Sequence, residues 1–117
     1  MALELCPNGS LFPYIKHRLF SLKRVQGYFG QLCSVLESMK DKNVIHRNIV
    51  PQNILLGEKW NLKMAGFGYS VIGKEAKGRA GTKGYMAPEV DNYPATGESY
   101  SRKIDIYSSG VVLFNML

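Results

Sequence analysis

The chain has 117 residues, of which 45% are apolar and 21% charged, with a net charge of +6. That length allows one small domain or part of a larger one, and the composition excludes a disordered tail. No apolar run approaches the ~20 residues a membrane span needs, so no membrane association is expected. Met1-Ala2-Leu3-Glu4 does not open a signal-peptide pattern, and two cysteines, Cys6 and Cys33, are too few for a disulfide framework. The expected setting is intracellular, cytoplasmic or nuclear. The fifteen Lys and Arg are spread along the chain, which reads as a solvated surface, with no nucleic-acid partner expected.

Residues 1–6 read as a short strand and Pro7-Asn8-Gly9 as a turn. Asn8-Gly9-Ser10 fits the glycosylation acceptor pattern but reads as a turn followed by a cap. Ser10 is the predicted N-cap of a short helix over Leu11–Arg18, with Pro13 confined to its first turn. From Ser21 to Lys42, Leu22, Val25, Phe29, Leu32, Leu36 and Met39 recur at three- and four-residue steps. This spacing predicts an amphipathic helix capped by Ser21. Gly27 and Gly30 each weaken it by about 1 kcal/mol relative to Ala, so packing must hold it.

Val44-Ile45 follows as a short apolar pair. Ile54-Leu55-Leu56 and Leu62-Lys63-Met64-Ala65, joined through Gly57-Glu58-Lys59, predict a hairpin. Residues 66–100 hold seven of the twelve glycines and little periodicity, so one long functional loop is expected. Residues 104–117 are apolar nearly all round, which predicts a buried helix.

Three loop motifs lie in order on this frame: His46-Arg47-Asn48-Ile49-Val50-Pro51-Gln52-Asn53, then Gly66-Phe67-Gly68, then Ala87-Pro88-Glu89 behind Gly81-Thr82 and Tyr85-Met86. Together they resemble the protein kinase superfamily, on its Ser/Thr side, whose loops read H-R-D-x-x-x-x-N, D-F-G and A-P-E. The resemblance implies an α+β fold, a partial C-terminal lobe that is mainly helical with short hairpins. It covers residues 1–117, from the hinge strand to the large central helix. By the same resemblance the Gly-rich nucleotide loop and the V-A-I-K lysine would lie upstream of the hinge strand, so this chain is expected to represent a C-terminal lobe without its N-terminal lobe.

The resemblance assigns roles residue by residue. Asn48 stands where relatives have the aspartate that accepts the substrate hydroxyl proton, a task a neutral amide does not perform. Gly66 stands where an aspartate binds magnesium. Asn53 matches a second metal-ligating position, weak on its own. Val50 replaces a phosphate-contacting lysine. Leu3, Glu4 and Cys6 match the hinge beside adenine, and Leu55 the apolar floor beneath it. His46 and Phe67 resemble members of the apolar spine, and Asp105 the aspartate that holds the catalytic-loop backbone. Arg47 matches the arginine that pairs with an activation-loop phosphate. That phosphosite would fall near Gly78, yet no Ser, Thr or Tyr lies between Val71 and Ala80. Glu89 normally pairs with an arginine in a later helix and is expected to be unpaired.

ATP and magnesium are therefore implied by the family alone, and no cofactor is expected for the isolated chain. No His/Cys cluster suggests another metal. Val111, Val112, Leu113, Phe114, Met116 and Leu117 end the chain. Leaving such residues exposed forgoes roughly 1.5–3 kcal/mol each. The isolated chain is thus expected to self-associate, or to bind a protein partner through this helix. The leading expectation is an inactive, pseudokinase-like fragment. Part of a divergent Ser/Thr kinase and the product of a decayed gene are the alternatives.

Overall fold

The computed structural model describes residues 6–117. Of the predicted first strand, residues 1–5 lie outside the described residues, and Cys6 opens a turn in which the Gly9 amide donates to its carbonyl at 3.1 Å. The chain then runs beside the hairpin: Leu56 N–H donates to Gly9 O, Leu11 N–H to Ile54 O, and Ser10 bridges Leu55. This lateral pairing buries Leu11 completely.

Helix α1 spans Phe12–Lys16 and is shorter than predicted. Its N-cap is Leu11 rather than Ser10. Ser10 is held in the bridge to Leu55, although its hydroxyl still accepts from the Phe12 amide at 3.3 Å. Helix α2 (Leu22–Asp41) starts as predicted, with the Ser21 side chain accepting from Arg24 N–H at 3.2 Å. Its buried stripe is Val25, Tyr28, Leu32 and Met39. Leu22, expected on that stripe, is 65% exposed, and the buried stripe begins at Val25.

Strands β2 (Ile54–Leu56) and β3 (Leu62–Met64) form the predicted hairpin, with Ile54 opposite Met64 and Leu56 opposite Leu62. The apolar pair Val44–Ile45 is strand β1, and it pairs with β4 (Val71–Ile72). Residues 66–100 therefore do not form one structureless loop. They contain β4, β5 (Glu75–Ala76), helix α3 (Pro88–Asp91) and the start of β6 (Tyr100–Ser101), which pairs with β5. Each strand is two residues long and is set by a distant partner, so local periodicity carries no trace of it.

Helix α4 (Lys103–Met116) packs against α2. One side, with Ile104, Asp105, Ser108, Ser109, Val112 and Met116, is buried. The other leaves Ile106, Tyr107 and Phe114 exposed, so the helix is buried on one face rather than all round. The larger core joins α2, the hairpin, Leu11, Ile49 and the C-terminal half of α4. A smaller core of Ile45, Ala76, Ala87, Val90, Tyr100 and Ile104 sits beneath the 66–100 segment. The loop 46–53 lies between them and takes Ile49 from the first and its neighbour Ile45 from the second.

Candidate functional site

Asp105 anchors the site from below. It is 2% exposed, and its two oxygens accept from the backbone amides of His46 (2.7 Å) and Arg47 (3.0 Å). Burial pushes its carboxyl above the usual range, while the two amides and the nearby His46 and Arg47 pull it back. These contacts hold Arg47 in a left-handed conformation, φ +71°.

His46 is completely buried and uses both ring nitrogens. Nε2 lies 2.7 Å from the Ala65 carbonyl and Nδ1 accepts from Asn48 N–H at 3.0 Å. This pattern needs a neutral ring protonated at Nε2, because a proton at Nδ1 would face an amide donor. Burial lowers its basicity in the same direction. Its ring meets Phe67 edge-on with centroids 4.6 Å apart. His46 thus joins the 46–53 loop to the glycine turn, and no proton transfer is asked of it.

Arg47 reaches the other way. Its guanidinium donates to Tyr69 O (2.8 Å), Lys77 O (2.8 Å) and Tyr100 Oη (3.1 Å), and Tyr100 in turn donates to Gly78 O at 2.6 Å. Uncharged acceptors occupy this cation. Gly81 passes close by at φ +125°, where a Cβ would lie 2.7 Å from Arg47 O, so only glycine fits. Arg79 fastens the same segment through an ion pair with Asp91 at 2.9 Å.

Asn48 and Asn53 form the centre. Thr82 donates its hydroxyl to Asn48 Oδ1 at 2.7 Å, and Asn53 Nδ2 donates to Asn48 O at 2.9 Å. Ala65 N–H donates to Asn53 O at 2.8 Å. Gly66, at φ +72° and ψ +39°, opens the 3₁₀ turn Phe67–Tyr69. A Cβ on Gly66 would lie 2.5 Å from both Nδ2 and Oδ1 of Asn53. The Asn53 amide therefore fills the space in which a side chain at 66 would begin.

This donor set does not fit magnesium. The cation takes hard oxygens, usually with one or two carboxylates. Asn48 and Asn53 are neutral, the Asn48 Oδ1 already accepts from Thr82, the Asn53 Nδ2 already donates to Asn48 O, and Gly66 has no side chain. The buried carboxylate of Asp105 is committed to two amides. No group of three or more His, Cys, Asp or Glu among the described residues is arranged to hold a metal ion.

The remaining assigned residues are dispersed. Leu3 and Glu4 lie outside the described residues. Cys6 is half-buried at its turn, and Leu55 is half-buried in mid-strand. Glu89 is exposed in α3, with no ion-pair partner among the described residues. Sequence reasoning missed Thr82 as the partner of Asn48 and Tyr100 as the partner of Arg47. Both sit in the aperiodic segment, and only the folded chain brings them to the 46–53 loop.

The sequence profile of the protein kinase domain matches residues 1–117. The chain is 34% identical over 120 residues to Aurora kinase B of Xenopus tropicalis, covering 100% of this chain and 32% of that protein. It is 41% identical over 125 residues to the serine/threonine-protein kinase CHK1 of Mycosarcoma maydis, covering 100% of this chain and 18% of that protein. Against the cell cycle serine/threonine-protein kinase CDC5/MSD2 of Saccharomyces cerevisiae it is 36% identical over 120 residues, covering 98% and 17%. The chain thus spans a third or less of the length of these relatives. No helix among the described residues is long and apolar enough to cross a membrane. With its three ordered loops joined on one α+β frame and a profile match along its whole length, the chain belongs to the protein kinase family.

Proposed function

We propose that this kinase-family chain does not transfer phosphate and acts by binding protein. The observation that carries the reading is the amide centre: Asn48, tied to Thr82, stands at the base position, and the Asn53 amide fills the space beside Gly66. A positioned base contributes 10²–10⁴-fold, and charge compensation by metal carries much of the rest of phosphoryl transfer. Among the described residues, neither of these two positions carries a carboxylate. Protein contact would run over the outward face of α4, where Ile106 (58%), Phe114 (77%) and Leu117 (69%) are exposed. Self-association over the same face, in an intracellular setting, belongs to this reading.

The test is transfer of labelled γ-phosphoryl from ATP to a generic protein acceptor by the purified full-length protein. No incorporation above background is expected. Incorporation that Asn53→Ala abolishes would overturn the reading. A second reading, part of a divergent Ser/Thr kinase, is favoured by one observation: the Asp105, His46 and Arg47 contacts that hold the loop are all present. Incorporation in the same assay is its signature.

A further inference from the structure

Away from the amide centre, four aromatic rings meet where α1, the first turns of α2 and the β2–β3 turn converge. Tyr14 stacks on Phe20 with centroids 5.8 Å apart, Phe20 meets Tyr28 edge-on at 5.4 Å, and Trp60 meets Tyr14 edge-on at 5.9 Å. Two hollows of about 470 and 450 Å³ open here and share Ser21, Arg24, Tyr28 and Trp60 as walls.

Three features of this place are unusual for a plain surface. Trp60 sits at φ +63° in a turn closed by Gly57 N–H to Asn61 O (2.8 Å) and Trp60 N–H to Gly57 O (2.9 Å). A bulky residue in the left-handed region is strained where glycine or asparagine would not be. Trp60 nonetheless remains 42% exposed. Tyr28 is 3% exposed, and its hydroxyl has no hydrogen-bond partner among the described residues. Buried polar atoms are normally paired. Lys23, Arg24 and Lys59 line the hollows, with no acidic residue among the lining and no ion-pair partner for any of the three among the described residues.

We propose that this hollow docks an acidic peptide segment of a partner protein. An apolar side chain of that segment lies against Trp60 and Phe20, and its carboxylates face Lys23, Arg24 and Lys59. Leu19 (64% exposed) and Leu22 (65% exposed) extend the apolar rim. A phosphate backbone would leave these leucines uncovered, whereas a peptide mixing carboxylates with apolar side chains covers both kinds of surface. The site shares no residue with Asn48, Asn53 or Gly66, so it stands whether or not the chain transfers phosphate.

Trp60 is the single tryptophan of the chain, so intrinsic fluorescence reads this hollow directly. The probe is a short synthetic peptide mixing glutamate and leucine, titrated into the full chain. The expected result is a saturable blue shift that weakens with added salt. The Lys23→Glu, Arg24→Glu double variant, checked for folding by circular dichroism, should lose about tenfold or more in affinity. Equal binding of a lysine–leucine peptide, a response to single-stranded DNA or polyphosphate but not to the glutamate peptide, an unaltered spectrum, or an unaffected double variant would each overturn the proposal.

Discussion

Two halves of the 46–53 loop lie side by side and are built on opposite electrostatic terms. The His46–Arg47 half rests on a buried carboxylate, and each of its three side chains has named partners: Asp105 takes two amides, His46 bonds Ala65 and Asn48, and Arg47 bonds three oxygens. The Asn48–Asn53 half contains no ionisable side chain, and its contacts run between amides, a hydroxyl and backbone. The contrast separates two jobs that one loop does in this family. The shape of the loop depends on the first half, and the charge for chemistry belongs to the second. Here the shape survives without the charge.

The largest effect that would break this contrast is removal of its foundation. Asp105→Ala leaves two buried amide donors unpaired, and a loss of about 3 kcal/mol is expected in chemical denaturation. Asp105→Asn, which keeps one acceptor, should lose less. A negligible effect of both would mean the first half is not held as described.

Gly66→Asp tests the second half. It places a side chain at φ +72° and displaces the Asn53 amide from Asn48 O, with an expected loss of about 2 kcal/mol. Restoring the acidic residue alone should therefore weaken the fold without creating a magnesium-dependent rise in Tm. A stable Gly66→Asp chain with such a rise would show that Asn53 yields freely.

The pH profile sharpens the comparison further. Burial lowers the His46 pKa below its ordinary 6.5, so the unfolded chain binds the extra proton first. Stability from this group is complete above 6.5 and declines as pH falls from there toward the folded pKa. Asp105 acts with the opposite sign: its raised pKa makes stability fall as pH rises above 3.8 toward the folded value. Thermal melts of the parent chain and His46→Gln across this range isolate the histidine, and the variant should lose the acid-side decline. The smallest effect belongs to Asn48→Asp. A carboxylate also accepts from Thr82, so stability should stay within about 0.5 kcal/mol, with no phosphoryl transfer gained.

The sequence made α2 and the hairpin legible because their apolar spacing and turn residues act locally: Ser21 caps, Val25 to Met39 form a stripe, and Ile54–Leu56 faces Leu62–Met64. The motifs also located the positions of the candidate site. Its wiring was not legible. The link of Arg47 to Tyr100, of Asn48 to Thr82 and of Asn53 to the space at Gly66 depends on long-range closure of the 66–100 segment. Strand β5 exists only because Glu75 and Ala76 meet Ser101 and Tyr100. In α4, composition suggested burial all round, but its packed partners cover one face, and Ile106 and Phe114 remain outside.

The central claim is that neutral groups occupy the place where this family carries a cation. Its most direct measurement compares thermal melts of the full chain in ATP alone and in ATP with magnesium. Superimposable curves are predicted. A magnesium-dependent rise in Tm that disappears in Asn53→Ala would contradict the claim.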